Sequence, residues 1–198
     1  DVRQGDFDHP ETLDTAFAGV DRLLLVSADG DNETRIRQHA NAVAAAERAG
    51  VGFIAYTSLA NAKESKNLFA PTHQATEEAI LKTGIPYSFL RNNWYLENEI
   101  SSIQGILAGA PWVTSAGKVL TQEEIAAALG IVLGKEITVQ QVDDATYADI
   151  MQDAGVPDFV IPILVEIQRS IRVGSLDVES NDFEKLLGRP ATPIHEDL

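Results

Sequence analysis

Two strand-like runs end in polar clusters, Phe53-Ile54-Ala55-Tyr56-Thr57-Ser58 and Tyr87-Ser88-Phe89-Leu90-Arg91-Asn92-Asn93-Trp94-Tyr95, and an amphipathic helix pattern precedes each. That alternation specifies a parallel α/β sheet, whose strands are joined by helical crossovers. In such sheets the ligand lies outside the carboxyl ends of the strands. The hydroxyls of Thr57 and Ser58 and the cluster from Arg91 to Tyr95 are therefore expected to share one crevice.

The same pattern runs along most of the chain. Asp1 to Phe7 is expected to form a short strand with Val2 as its apolar member, and Pro10 to Phe17 a helix that closes near Gly19. Arg22-Leu23-Leu24-Leu25-Val26-Ser27 is a near-continuous apolar run, which suits a strand buried on both faces. Ile36, Ala40, Val43 and Ala44 mark one face of a helix that stops at Gly50. Thr72 to Thr83 is a further helix, stopped by Gly84, and Pro86 to Leu90 a further strand. The order is βαβαβαβ.

The final third changes character. Thr121-Gln122-Glu123-Glu124 is a capping box opening an Ala/Leu/Ile-rich helix that ends near Gly134, and Glu136 to Val142 is expected as a short strand. Helices are expected over Asp143 to Ala154, Pro157 to Arg172 and Ser180 to Leu187. The predicted organisation is a Rossmann-like doubly wound domain over 1–119 and a small, mostly helical lobe over 120–198 on the substrate side. One junction is awkward: at Gly117-Lys118-Val119-Leu120-Thr121 a strand runs into a helix start without room for a crossover.

Composition narrows the partners. Thirty acidic against fifteen basic residues give a formal charge of −15, and without a Lys/Arg run such a chain repels a phosphate backbone, so nucleic acid is not an expected partner. Without cysteine, disulfides, thiolate metal ligands and thiol catalysis are excluded within the chain. No apolar run approaches the roughly 18 to 20 residues of a membrane span, and no signal peptide pattern opens the chain, so a cytoplasmic location is expected. His9, His39, His73 and His195 are scattered without metal-ligand spacing, and no G-x-S-x-G elbow points to a hydrolase.

Also missing is the G-x-G-x-x-G turn with which a nucleotide-binding sheet of this type usually begins. Yet an ordered series of segments matches one family: Arg3 to Phe7, Ala18 to Ser27, Gln38-His39-Ala40-Asn41, Ala49-Gly50-Val51, Phe53 to Ser58, His73 with Thr76-Glu77, Ile85 through Tyr95, Gly155-Val156-Pro157 and Lys185-Leu186-Leu187-Gly188. In these the chain resembles the NmrA-like branch of the atypical short-chain dehydrogenases, most closely the NAD(P)H:quinone oxidoreductase and triphenylmethane reductase group. The resemblance implies that a first βαβα portion carrying the glycine-rich phosphate loop precedes Asp1. It also implies that a strand and helix fall between about Val119 and Leu120.

What the resemblance implies for the site can be set beside plainer readings. Ser27 and Ala28 end a strand that passes beneath the dinucleotide in the family, although a strand-end Ser also caps turns. Tyr56, Thr57 and Ser58 hold the equivalent place one strand over, where small hydroxyls suit a ribose or a nicotinamide amide and also suit a turn. His73 and Glu77, spaced i, i+4, share a helix face with Thr76 and Ile80. Aligned on Thr76-Glu77, the Tyr and Lys of the usual Tyr-x-x-x-Lys dyad fall at Phe69 and His73. Phe69 cannot donate a proton; His73 is either a catalytic or cofactor contact or a hydrogen-bonded structural residue.

Arg91, Asn92 and Asn93 are the remaining cofactor candidates, and Asn93, Tyr95 and His73 the catalytic ones. Trp94 is expected to plug the base of the next helix, and Glu97-Asn98-Glu99 to be a solvated helix face. The implied activity is hydride transfer from NADPH or NADH to a quinone or another conjugated small-molecule acceptor, which needs little general-acid help. The alternative is a non-catalytic dinucleotide sensor, since the NmrA branch also contains redox-responsive regulators. A homo-oligomeric state stays open.

Overall fold

The structure is a computed structural model. It describes residues 1–116, 120–178 and 180–190, with backbone alone at 96, 101, 120 and 121. The chain divides into two compact units, Asp1–Asn93 and Trp94–Leu198. The junction at 117–119 and His195 lie outside the described residues, as does the side chain of Thr121 in the expected capping box.

The first unit runs α1 (Pro10–Phe17), β1 (Arg22–Leu25), α2 (Asn32–Arg48), β2 (Phe53–Leu59), α3 (Ala70–Thr83) and β3 (Tyr87–Asn92). The strands are parallel in the order β1-β2-β3, as expected, with Leu25 beside Tyr56 and Ser58 beside Arg91. Two right-handed crossovers in the same direction put α2 and α3 on one face of the sheet. β2 is central, and Ile54, Tyr56 and Ser58 alternate onto the buried side. There Ile54 and Tyr56 pack with Leu25, Leu13, Val43 and Ile80.

Two expectations fail here for identifiable reasons. Asp1 to Phe7 forms no regular strand; an isolated bridge joins Asp6 to His9 instead. Asp6 Oδ1 accepts the Asp8 N–H and Thr12 Oγ1 accepts the Asp6 N–H, so side chains take the backbone donors that a ladder would use. Nor is β1 buried on both faces: Leu25 is 2% exposed, but Leu24 is 56% and Val26 59% exposed. With α2 and α3 on the same face, the opposite face of this edge strand is left uncovered among the described residues.

A third expectation is rotated. The buried face of α2 carries Arg35, His39, Ala42, Val43, Ala45 and Ala46, whereas Ala40 is exposed and Ile36 and Ala44 only partly covered. Of the expected face only Val43 is buried, and the centre of the inward face is displaced because hydrogen bonding lets Arg35 and His39 occupy positions that hydropathy assigns to solvent. Asp31 caps the start of this helix by accepting the Thr34 N–H. Gly84, at φ +70°, ends α3 in the left-handed conformation that favours glycine.

The second unit contains a 3₁₀ turn (Leu96–Glu99), α4 (Ile100–Leu107), β4 (Trp112–Thr114), α5 (Leu120–Leu133), β5 (Val139–Gln141), α6 (Asp144–Asp153), α7 (Ile161–Arg172) and α8 (Asp182–Leu187). β4 and β5 are parallel and α5 joins them, with Trp112, Ile106, Ile125 and Leu129 as the core. Gly130 sits where a Cβ would come within 2.9 Å of the Lys135 carbonyl, so the exit from α5 needs a residue without one. Asp144 on α6 receives both Arg169 and Arg172 from α7. Glu99 departs from expectation: it is 6% exposed and accepts the Trp94 indole N–H at 2.8 Å, and burial raises its pKa.

Ile54 is fully enclosed at the centre of the first core. Ile54→Ala is expected to lower unfolding free energy by about 2–5 kcal/mol, read from urea denaturation with an unchanged m-value.

Candidate active site

The carboxyl ends of β1, β2 and β3 are tied together by side chains from α2 and α3. The Ala28 N–H donates to His39 Nε2 at 3.0 Å. A backbone N–H can only donate, so Nε2 is unprotonated, and His39 Nδ1–H donates to Thr76 Oγ1 at 2.8 Å. Thr76 in turn donates to the Thr72 carbonyl at 2.8 Å, which completes a one-directional chain from β1 to α3.

A second chain runs beside it. The Ser27 N–H donates to Thr57 Oγ1 at 2.8 Å, and Arg35 Nη2 donates to Ser27 Oγ at 2.7 Å. Arg35 Nη2 also faces His73 Nε2 at 3.4 Å. Because arginine has no acceptor, the Nδ1 of His73 holds the proton and faces the Tyr56 hydroxyl at 2.9 Å. At the third strand end, Glu77 accepts from Ser58 Oγ at 2.6 Å and from Arg91 Nε and Nη2 at 2.9 and 2.8 Å.

Burial sets the electrostatics. Desolvation first, and then the Arg35 guanidinium, hold the His39 imidazole down to about 4. His73 is lowered to about 4 by the same causes in the same order, with His39 adding to the effect and Glu77 opposing it. Both rings are neutral at pH 7. Desolvation also raises the Tyr56 phenol, which is fully buried.

The expected residues thus fall into groups. His73, Tyr56 and Ser58 are buried and hydrogen-bonded to protein. Ser27, Ala28 and Thr57 are partly exposed at the ends of β1 and β2, as is Asn92 on β3. Asn93 and Arg91 are exposed there, the latter clamped by Glu77. Tyr95, in the second unit, is 53% exposed. His73, Thr76, Glu77 and Ile80 do share one buried face of α3.

Sequence reasoning missed Arg35 and gave His39 no role. The signal was present: Arg35, His39, Ala42, Val43 and Ala46 recur at offsets 4, 7, 8 and 11. Among the described residues no cluster of His, Asp or Glu is arranged to hold a metal.

A sequence profile described as NAD(P)H-binding matches residues 1–136. The chain belongs to this NAD(P)H-binding family. Quinone oxidoreductase 2 of Escherichia coli K12 is 31% identical over 232 residues, spanning 100% of this chain and 81% of that protein. The structure of Citrobacter sp. triphenylmethane reductase complexed with NADP(H) matches with TM-score 0.90 at 36% identity, over 99% of this chain and 81% of that one. The NADPH complex of the Escherichia coli NADPH-dependent quinone oxidoreductase matches with TM-score 0.90 at 31% identity, over the same shares. The Rossmann-like fold class and the expected family are borne out by these likenesses.

The strand ends of this NAD(P)H-binding chain fit the cofactor chemically. They combine small hydroxyls, carboxamides and one buried guanidinium whose Nε has no partner among the described residues.

A stability signature follows from the two imidazoles. Unfolded histidine protonates near 6.5 and these protonate near 4, so between those values the unfolded chain binds more protons. The stability is complete above about 6.5, declines as pH falls through this window, and is gone below about 4. Each ring contributes on the order of 3 kcal/mol. His39→Gln is expected to lower the urea midpoint at pH 7.5 and to flatten its fall between pH 7.5 and 5; parallel profiles for variant and parent would contradict the assignment.

Proposed function

We propose that the protein is an oxidoreductase that passes hydride from NADPH or NADH to a quinone or a similar conjugated small-molecule acceptor. The observation that carries this reading is the lack of a proton donor at neutral pH among the groups at the dyad position. Phe69 has no hydroxyl, His73 is neutral and hydrogen-bonded on both nitrogens, and Tyr56 is buried against His73. A simple ketone needs a donor for its developing alkoxide, while a quinone or cationic dye spreads or neutralises the charge itself. The similarity to a quinone oxidoreductase and a triphenylmethane reductase supports the same acceptor class.

The bound nicotinamide supplies the hydride. In this proposal Ser27, Ala28, Thr57 and Arg91 shape the cofactor side of the crevice. Tyr56, Ser58 and His73 hold those groups in place from behind. Asn92 and Asn93 orient the nicotinamide and acceptor, and Tyr95 offers a ring face on which a planar acceptor can stack. Residues 1–119 form the nucleotide-binding part and 120–198 the substrate-side lobe. A cytoplasmic location, the choice between a monomer and a homo-oligomer, and the absence of a nucleic-acid partner also belong to this reading. Among the described residues no helix is long and apolar enough to cross a membrane.

The purified protein is expected to oxidise NADPH or NADH with a quinone and not with a simple secondary ketone. Comparable ketone turnover would sink the account of the lost dyad, and dinucleotide binding without turnover on either acceptor would favour a sensor. Asn93→Ala is expected to lower kcat/KM by roughly ten- to a hundredfold, with the thermal midpoint unchanged.

A further inference from the structure

Arg35 is only 6% exposed, yet none of the ion pairs among the described residues includes it. Arg91 and Arg172, both more exposed, have Glu77 and Asp144. The partners of Arg35 are neutral: Nη2 meets the Ser27 hydroxyl and His73, and the guanidinium lies 5.5 Å from the centre of the Phe69 ring. Nε is enclosed, with no partner among the described residues. Among the described residues Nη1 finds no hydrogen-bond partner, and it is not one of the enclosed atoms, so its two N–H groups are the ones left for a ligand. Asp29 is the carboxylate that acts on this charge, and it is itself exposed.

The surroundings hold the guanidinium in place. Asn32 on α2 donates to the Leu68 carbonyl and accepts from Thr72, so the segments on either side of Arg35 are joined. A buried cation without a paired counter-charge is costly, and completion by an anion lowers that cost. The fork of N–H donors matches phosphate oxygens.

We propose that the Nη1 edge of Arg35 is a phosphate subsite that receives the nicotinamide-side phosphate of the dinucleotide at the carboxyl end of β1. The proposal rests on the NAD(P)H-dependent reading above. Its place on the sheet favours phosphate over an acceptor oxygen. β1 is separated from β3 by one strand, which sets their ends about 10 Å apart. An acceptor touching the nicotinamide at Asn92 and Asn93 lies on the β3 side, and the ribose bridges back toward β1.

The test is calorimetric binding of NADPH, reduced nicotinamide mononucleotide and reduced nicotinamide riboside, which lacks the phosphate, to the parent protein and to Arg35→Gln. The variant is expected to bind both phosphate-bearing ligands about ten- to a hundredfold more weakly and the riboside with unchanged affinity. Equal losses for all three, or no loss for any, would overturn the subsite. So would a fall in kcat with all dissociation constants unchanged, which would assign Arg35 to the acceptor. Arg35→Lys keeps the charge and loses the fork; it serves if the Gln variant does not fold, with a smaller loss again confined to the phosphate-bearing pair, and equal losses again overturn the proposal. Failure of the parent protein to bind NADPH would instead defeat the parent reading.

Discussion

Polar side chains can be buried at the end of a parallel sheet only if their donors and acceptors are matched, and that constraint organises the first unit of this protein. Glu77 shows it most clearly. It is 6% exposed, and three donors reach it, one from Ser58 and two from Arg91. Ser58 and Arg91 are register partners on adjacent strands, so one carboxylate on α3 fixes two strand ends against a helix. Loss of that carboxylate would leave a buried hydroxyl and a guanidinium without their shared acceptor.

The same constraint explains why the imidazoles are neutral. His39 accepts a backbone N–H on one nitrogen and donates from the other, and a second ring proton would oppose the Ala28 bond. His73 is held similarly between Arg35 and Tyr56. His73, the acid–base candidate of the sequence, and His39, to which sequence reasoning assigned no role, are both held neutral and hydrogen-bonded on each ring nitrogen. The partly exposed Ser27, Ala28 and Thr57 are set on this frame, and their orientation follows from it. A site built this way suits chemistry in which the protein binds, orients and excludes water, leaving the reaction itself to a cofactor.

Much of this was legible from residue order. The strands ending near Ser27, Ser58 and Arg91 were identifiable because apolar runs stop at polar clusters, and their parallel order follows from the helices between them. Glu77 and His73 could be placed on one face from their spacing. Less legible was the inward face of α2, because hydropathy ranks Ile36 and Ala40 above Arg35 and His39, and only the partners contributed by β1 and α3 reverse that order. The coil at Asp1 to Phe7 was hidden for a related reason: Asp6 and Thr12 compete locally for backbone donors that an apolar pattern assigns to a ladder. Glu99 likewise reads as solvated until Trp94 is seen to donate to it.

The central claim is that the carboxyl ends of β1, β2 and β3 form the dinucleotide surface. Amide hydrogen exchange with and without saturating NADPH tests it most directly. The account predicts added protection concentrated at residues 26–31, 57–61 and 91–93, with the middle of α2 unchanged. Protection absent from these strand ends, and found instead around the surface formed by α5 and β5, would contradict it.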